Sequence, residues 1–239
     1  MTSIVLIPAK YAKKITVPDD IINKLPNRLM LFSSVQFLSQ LPDIEKQLES
    51  KGKTVIMTKS KNFLYDGMIS EKGQLLGCNM ETFDAKNYGN DFDAFLYIGD
   101  GVFHPQALLV NNKIDVYCYD PKINKLKILN KEMHDDILKR NKGSLIKFLS
   151  SQNIGILVTT KRGQNSSKRA DTVRDKMSLK WPDKKVFIFY CNEINFQELE
   201  NFNFVDVYIN SACSRIGHDD TTRSPKPIIN IADVERLLK

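Results

Sequence analysis

The sequence predicts an α/β protein with two consecutive domains, each a small parallel sheet flanked by helices. Short apolar runs rich in Val, Ile, Phe and Tyr alternate with longer stretches of helical periodicity, and buried parallel strands have this appearance. A second strand-helix-strand series opens at Asn153, after a long helical stretch. Alternation of strands with helices is the pattern from which parallel sheets are built.

Each predicted strand is a short apolar run with β-branched or aromatic residues. The runs are residues 4–7, 29–33, 54–57, 94–98, 116–119, 155–159, 186–190 and 205–210. The turn residues and longer mixed stretches between them separate the strands and leave room for helical crossovers.

Three segments between the strands have the periodicity of helices. In residues 42–51, Ile44 and Leu48 lie four positions apart and Lys and Glu occupy the other positions. Residues 131–151 place apolar side chains at roughly helical spacing, with a candidate interruption at Gly143. The polar segment 166–180 ends before Pro182. We place the domain boundary in the long middle segment, so that one domain spans residues 1–148 and the other residues 149–239.

Length and composition exclude several classes of protein. A chain of 239 residues with 42% hydrophobic and 26% charged residues has the composition of a globular protein rather than a disordered one. Four cysteines are too few for a disulfide-stapled secreted module of this length. The N-terminal apolar run is too short for a signal peptide, and no window approaches the ~20 apolar residues that span a bilayer. We expect a cytoplasmic protein with reduced thiols that does not enter a membrane.

The net charge of +7 favours an anionic partner. The basic residues are mostly lysines spread along the chain, without the interleaved aromatic residues of an RNA-binding sheet. We therefore expect a solvated basic surface and no direct contact with nucleic acid.

Glycines and polar residues directly follow the predicted strand 94–98, at the edge where ligands bind in open parallel sheets. Gly99 and Gly101 flank Asp100 there, which allows backbone N–H groups to approach an anion closely. A purely structural turn is an equally good interpretation of so short a pattern.

A second polar loop follows the predicted strand 155–159. Lys161, Arg162 and Gln164 precede a predicted helix, whose N-terminus and dipole favour an anion. A solvated basic turn is the alternative interpretation.

Two histidines have neighbours that suggest reactivity or metal binding. His104 is a candidate base or ligand, and a packed, hydrogen-bonded loop histidine is the favoured alternative. His218 stands beside Asp219 and Asp220, but no further carboxylates at fitting spacing support a divalent metal site.

The cysteines form two pairs by sequence context. Cys118 and Cys191 lie in or at the end of hydrophobic strands, where cysteine acts as a small apolar residue. Cys78 and Cys213 lie in loops with Gly, Asn, Ser and Arg, where cations can stabilise an exposed thiolate. The absence of any Cys-x-x-Cys pair excludes zinc-ribbon and ferredoxin spacings.

Several strings, in order along essentially the whole chain, resemble the diphthamide-synthesis radical enzymes, the 2-(3-amino-3-carboxypropyl)histidine synthases. The strings are Ile7-Pro8-Ala9-Lys10, Phe32-Ser33-Ser34-Val35-Gln36-Phe37, Cys213-Ser214-Arg215-Ile216-Gly217-His218-Asp219-Asp220 and Lys226-Pro227. The resemblance implies three homologous α/β domains that each give one cysteine to a 4Fe-4S cluster, and this chain is similar to the second and third. It also implies that S-adenosylmethionine is cleaved to a 3-amino-3-carboxypropyl radical, which adds to a histidine of translation elongation factor 2.

The resemblance assigns site residues by motif. Cys78 and Cys213 match the cluster ligands of the second and third domains. The residues expected to contact S-adenosylmethionine are Gln36, Gly99, Gly101, Lys161, Arg162 and Gln164. Radical addition demands no side-chain base, so we assign none.

Two departures from the family pattern shape the functional prediction. The family's Cys-Pro-Arg-Ile is replaced by Cys213-Ser214-Arg215-Ile216, and no segment matches the first domain with its cysteine. Because two thiolates hold a 4Fe-4S cluster poorly, we expect a partner chain to supply the first domain and the third cysteine. Recruitment of Cys118 or Cys191, or loss of the cluster, is the alternative.

We therefore predict a subunit or split form of the enzyme, acting on elongation factor 2. The alternatives are a non-catalytic accessory or scaffold subunit of the same pathway, and a nucleotide-binding α/β protein with incidental cysteines.

Overall fold

The computed structural model describes residues 9–59, 71–77, 85, 91–161 and 164–239. The chain divides into two compact units, Met1–Asp135 and Asp136–Lys239. The division lies within the long helical segment in which we placed the domain boundary, and the boundary after residue 148 stays a prediction. Across the described ranges, no helix is long and apolar enough to cross a membrane.

The first unit contains a five-stranded mixed sheet. Its strands are β1 (Arg28–Ser33), β2 (Thr54–Ile56), β3 (Ala94–Ile98), β4 (Val116–Asp120) and β5 (Lys125–Leu129). They lie in the order β2-β1-β3-β4-β5, and every pair is parallel except β4 with β5. Ser33 and Ile98, the last residues of β1 and β3, are register partners. The loops that follow these two strands therefore leave the same edge of the sheet.

Helical segments cover the first sheet. They are α1 (Asp19–Ile22), α2 (Leu41–Ser50) and the 3-10 turns Leu38–Gln40 and Pro105–Leu108. Three side chains at helical spacing in α2, Leu41, Ile44 and Leu48, are fully buried in one core with Leu31 and Leu96 of the strands. Burial of each such side chain contributes about 1.5–3 kcal/mol, so α2 fixes the connection between β1 and β2.

The second unit contains a four-stranded parallel sheet. Its strands are β6 (Asn153–Thr159), β7 (Lys185–Cys191), β8 (Val207–Asn210) and β9 (Ile228–Asn230). They lie in the order β7-β6-β8-β9. Asn210 and Asn230 end β8 and β9 as register partners. Three of the loops that follow these strands meet at the carboxyl edge and build the site described below.

Helices pack on the second sheet. They are α3 (Glu132–Ser150), α4 (Ser167–Lys180), α5 (Ile216–Asp219), α6 (Ile231–Leu237) and the 3-10 turn Glu198–Asn201. Phe148, Val173, Met177 and Val234 come from three of these helices and are buried in one core with Ile156 of the central strand. The opposite face of the sheet has a core of its own around Leu157 and Tyr208.

The predicted α/β class with two helix-flanked sheets is confirmed. One feature was predicted wrongly: the first sheet is mixed, because β5 turns back on β4 through Asn124 in the left-handed conformation, which asparagine tolerates. The helix α3 also continues through Gly143 without interruption. The predicted strand 4–7 lies outside the described residues.

Candidate functional site

A pocket of about 270 Å³ opens at the carboxyl edge of the second sheet. Its lining comes from the loops after β6, β7 and β8, and consists of Thr159, Lys161, Gln164, Asn192, Glu193, Ile194, Phe196, Ala212, Ile216, Asp220 and Arg223. This is the position at which parallel sheets bind their ligands. Two residues predicted to contact S-adenosylmethionine, Lys161 and Gln164, line it together.

Hydrogen bonds fix the loop after β6 against the end of β7. The Thr159 hydroxyl donates to the carbonyl of Asn192 at 2.9 Å and accepts from the N–H of Lys161 at 3.2 Å. The N–H of Thr160 donates to the carbonyl of Cys191 at 2.8 Å. The first N–H of α4, that of Ser167, is taken by the Asn165 side chain at 3.0 Å. These hydrogen bonds hold Thr159 and Thr160 against the end of β7 and fix the N–H of Lys161.

Positively and negatively charged side chains line the pocket. Lys161 Nζ lies 2.5 Å from Glu193 Oε1, and this contact lowers the pKa of the Glu193 carboxyl. Arg223 Nη1 lies 2.9 Å from Asp220 Oδ1, and its guanidinium is 5.2 Å from the centre of the Phe196 ring. A zwitterionic ligand would find both a cation and a carboxylate here.

Cys213 lies in the loop after β8, between the pocket residues Ala212 and Ile216. The loop is anchored by two buried asparagines. Asn210 Nδ2 donates to the Cys213 carbonyl at 2.8 Å, and Asn230 Nδ2 donates to the Ser214 carbonyl at 2.9 Å. The half-buried Cys213 thus belongs to a segment that is fixed at the sheet edge rather than a loose turn.

The residues that follow Cys213 form α5 and a charged cluster. The buried Arg215 pairs with Asp219, with 2.6 Å between Nη2 and Oδ2. Burial, with the positive charges of Arg215, Arg236 and Arg140, lowers the pKa of His218 to about 4. His218 is therefore neutral near pH 7.

The glycine loop of the first unit follows β3. Gly101 has φ of +64° with open space around it, whereas a Cβ on Gly99 would lie 2.7 Å from the hydroxyl of the buried Tyr97. Asp100 between them pairs with Lys122 at 2.7 Å. Gln36 is half-buried in the turn after β1, and its carbonyl accepts the N–H of Tyr11 at 2.8 Å.

The segment that leads to Cys78 is anchored at the same edge of the first sheet. The N–H of Ser33 donates to the carbonyl of Gly73 at 2.8 Å, and the N–H of Leu75 donates to the carbonyl of Ser33 at 2.9 Å. The N–H of Gly77 donates to Nδ1 of His104 at 2.9 Å. His104 is thus a hydrogen-bonded loop histidine, as favoured from the sequence, and it holds the residue before Cys78.

The predicted site residues fall into three groups. Lys161 and Gln164 line the pocket of the second unit, where Cys213 is adjacent to lining residues. Gln36, Gly99 and Gly101 lie in the first unit, in turns after β1 and β3. Cys78 and Arg162 lie outside the described residues, and the roles assigned to all these residues stay predictions.

Sequence reasoning missed several residues of the site. The pocket residues that the sequence analysis did not mention include Asn192, Glu193, Ile194, Phe196 and Arg223. Asn230 was also missed. Their position after predicted strands, or near Cys213, was the only feature of the sequence that pointed to them. Which of these loops lie together depends on the order of the strands in the sheet, and the sequence does not give that order.

Cys118 and Cys191 have the surroundings expected of structural residues. Cys118 is buried in β4, and burial raises the pKa of its thiol to about 12. Cys191 ends β7, and burial also raises the pKa of its thiol. Neither environment favours a thiolate.

The second unit could supply one cysteine ligand, Cys213, to an iron–sulfur cluster. Thiolates are the ligands that such clusters take, and the half-buried Cys213 belongs to a loop whose backbone is held by Asn210 and Asn230. Within the ranges that the structure describes, no three His, Cys, Asp or Glu side chains form a group that could hold a metal. A cluster would therefore need ligands beyond the second unit's described residues, and Cys78 is the predicted second one.

A family model described as "Putative diphthamide synthesis protein" matches residues 6–239. A 2-(3-amino-3-carboxypropyl)histidine synthase of Pyrococcus horikoshii is 29% identical over 217 residues, which are 91% of this chain and 59% of the relative. Subunit 1 of the corresponding synthase of Caenorhabditis elegans is 27% identical over 84% of this chain and 48% of its own length. The chain spans about half to three fifths of the length of these relatives.

Two solved structures have a similar fold. The crystal structure of Dph2 from Pyrococcus horikoshii with a 4Fe-4S cluster has a TM-score of 0.69 and 27% identity, covering 91% of this chain and 58% of that one. A second crystal structure of Dph2 from the same organism has a TM-score of 0.71 and 26% identity, covering 94% of this chain and 62% of that one.

Proposed function

The chain belongs to the diphthamide synthesis protein family, and from this premise we propose that it is a subunit or split form of a cytoplasmic 4Fe-4S enzyme. The proposed reaction cleaves S-adenosylmethionine and transfers its 3-amino-3-carboxypropyl group to a histidine of translation elongation factor 2. The observation that carries the proposal is the anchored Cys213 loop beside a pocket at the sheet edge, in a chain similar to a Dph2 that holds a 4Fe-4S cluster. Because the chain spans about three fifths of that relative, the reaction, substrates and partners of the whole enzyme are all part of the proposal.

Cys213 would supply one thiolate to the cluster and Cys78 a second. When bound, a 4Fe-4S cluster supplies the electron for cleavage of S-adenosylmethionine. The third ligand, expected from a partner chain, stays a prediction. The protein would hold the Cys213 sulfur in a fixed position. The hydrogen bonds from Asn210 and Asn230 to the Cys213 and Ser214 carbonyls support that role.

The pocket residues would bind the cofactor's polar groups. Lys161 suits the carboxylate of S-adenosylmethionine, and Glu193 suits its amino group, because each offers the opposite charge. Gln164 adds an amide that can donate and accept. Their anchored backbone would orient the cofactor at little entropic cost.

The first-unit residues and Arg162 complete the proposed cofactor contacts. Gly101 has open space where a side chain would obstruct the approach of a ligand to the backbone. Gly99 would contribute through its backbone alone, because Tyr97 occupies the space beside it, and Gln36 offers an amide. His104 is not needed as a base, since its Nδ1 accepts the Gly77 N–H.

A transfer assay tests the proposal. The 239-residue chain is loaded anaerobically with iron and sulfide, then mixed with dithionite, S-adenosylmethionine and unmodified elongation factor 2, with and without a chain that carries the remainder of the family fold. Mass spectrometry is expected to find one added 3-amino-3-carboxypropyl group. Cys213→Ala should abolish the transfer, whereas the matched control Cys118→Ala should not.

The alternative is a non-catalytic accessory subunit. In that case transfer would require this chain and yet survive Cys213→Ala. The proposed function would be refuted if no combination transfers the group and the wild-type chain takes up no cluster, either alone or with the second chain.

A further inference from the structure

Two asparagines at the ends of neighbouring strands form one connected hydrogen-bond unit with the Cys213 loop. Asn210 Nδ2 donates to Asn230 Oδ1 at 2.8 Å and to the Cys213 carbonyl at 2.8 Å. Asn210 Oδ1 accepts the N–H of Ala212 at 3.1 Å, and Asn230 Nδ2 donates to the Ser214 carbonyl at 2.9 Å. Two side chains thus hold a backbone group of each of three consecutive residues centred on Cys213.

The chemistry of this unit requires amides. Each asparagine uses both its oxygen and its nitrogen, so an apolar residue would leave the carbonyls of Cys213 and Ser214 without these donors. An ionised aspartate would keep the acceptor at either position but would lose the donor. Exchange of oxygen and nitrogen in Asn210 would aim an NH₂ at the N–H of Ala212, so the network determines the amide orientation.

The unit is shielded from water. Asn210 is 1% exposed and Asn230 is 2% exposed. The backbone of α5 closes over them, since a Cβ on Gly217 would lie 2.3 Å from Asn230 Oδ1. Buried polar groups without partners are costly, so this loop is stable only in the conformation that satisfies both amides.

We propose that Asn210 and Asn230 are positioning residues that fix Cys213 for ligation before any cluster is present. The inference rests on the proposed function for the identity of the ligand. The loop conformation, in contrast, is fixed by hydrogen bonds within this chain and needs no ligand. Asn210 and Asn230 are register partners at the end of the sheet, which makes the rigid strands β8 and β9 the reference frame for the thiol. A pre-ordered ligand loop binds its group without a further loss of conformational entropy.

The test is the alkylation rate of Cys213 in the apo 239-residue chain, measured residue by residue with iodoacetamide and peptide mass spectrometry. Asn230→Asp keeps the acceptor for Asn210 Nδ2 and replaces the donor to the Ser214 carbonyl with a carboxyl oxygen. The same substitution at Asn112 controls for the buried negative charge that it adds. We expect Cys213 to be alkylated roughly tenfold faster, the ratio that follows from loss of one buried hydrogen bond, while the rate at Cys191 stays the same. An unchanged Cys213 rate in the folded variant would overturn the positioning role.

Asn112→Asp is the matched control. Asn112 is also buried, at 3% exposure. Like Asn230, it accepts one N–H, here from the backbone of Ala85 at 2.6 Å, and donates to one carbonyl, that of Leu108 at 2.7 Å. It lies in the first unit. The same chemical change there should leave the Cys213 rate unchanged, and an equal rise in both variants would show a general loosening that overturns the proposal.

A second pair of variants covers the case in which Asn230→Asp does not fold. Gly217→Ala keeps both amides but forces Asn230 to move, whereas Gly143→Ala adds a methyl group in open space on α3. Only Gly217→Ala should accelerate alkylation of Cys213, and equal rates would overturn the positioning role.

Iron content after anaerobic reconstitution separates the proposed function from the positioning role. A wild-type chain that binds no cluster, either alone or with a chain that carries the remainder of the family fold, would contradict the proposed function. If the alkylation pattern is as expected, the positioning of Cys213 is left intact. A cluster in the wild type, together with an unchanged Cys213 rate in the folded variants, would overturn the positioning role alone.

Discussion

The backbone N–H of Gly77 donates a hydrogen bond of 2.9 Å to Nδ1 of His104. Gly77 immediately precedes Cys78, and His104 follows β3 at the carboxyl edge of the first sheet. The His104 ring also stacks on that of Tyr97, with 6.4 Å between the ring centres. A histidine that is a candidate base from the sequence is therefore a structural anchor for the segment before a proposed cluster ligand.

Replacement of His104 by Phe keeps a ring against Tyr97 but removes the acceptor for the Gly77 N–H. Because Gly77 is buried, we expect the free energy of unfolding to fall by about 1–3 kcal/mol, measured by urea denaturation. His104→Asn retains an acceptor and should lose less. Equal stabilities of His104→Phe and wild type would show that the hydrogen bond contributes nothing.

Cys118 should resist alkylation in the folded chain. Burial raises the pKa of its thiol from 9.0 to about 12, so at pH 8 its thiolate fraction is about a thousandfold below that of an ordinary cysteine. We expect its rate to rise about tenfold per pH unit between pH 7 and 9 while remaining far below its rate in urea. Equal rates in the native and unfolded chain would contradict the assignment of Cys118 as a structural residue.

Stability should fall in acid because of His218. The pKa of its imidazole falls from the ordinary value of 6.5 to about 4 in the folded chain, so its contribution is fully present above pH 6.5 and is lost as the pH falls from 6.5 through 4. Between pH 7 and pH 4 the loss is about 3 kcal/mol. His218→Phe should reduce the pH dependence of the unfolding free energy by that amount, and an unchanged pH profile would contradict the prediction.

Lys161→Ala should weaken binding of S-adenosylmethionine roughly tenfold, since a charged hydrogen bond is lost and the Glu193 carboxylate is left without its partner. Added salt should reduce the difference, because exposed charges are screened. Lys185→Ala, an exposed lysine at the opposite end of β7, is the control. Equilibrium dialysis with the reconstituted chain measures both, and equal affinities would remove Lys161 from the proposed binding site.

The sequence was sufficient to predict the central strands but not the edges of the sheets. β3 was predicted to the residue, and β6 was predicted from residue 155, although it begins at Asn153. β5 was missed because its alternating lysines face solvent at an antiparallel edge, and β9 because it has three residues and depends on its pairing with β8. Short elements such as α5 are stabilised by tertiary packing, which local propensity does not report.

The site was predictable only where residues directly follow a strand. Lys161 and Gln164 were found by that rule, and they share a pocket. The role of Asn230 could not be predicted from the sequence around it. That role depends on a hydrogen bond with Asn210, twenty residues away, and on the close approach of Gly217. The burial of Cys118 was predictable from its hydrophobic context, whereas Cys191 and Cys213 are both half-buried, and the choice of Cys213 as a ligand stays a prediction.

The most direct test of the central claim is anaerobic reconstitution of this chain together with a chain that carries the remainder of the family fold. The iron and sulfide content of the complex is measured, with its electron paramagnetic resonance spectrum after reduction. The wild type and Cys118→Ala should take up the cluster and give the spectrum of a reduced 4Fe-4S centre. Cys213→Ala should lose most of the iron and the signal while it keeps the wild-type melting temperature. A Cys213→Ala protein with the same iron content and the same spectrum as the wild type would contradict the claim that Cys213 is a cluster ligand.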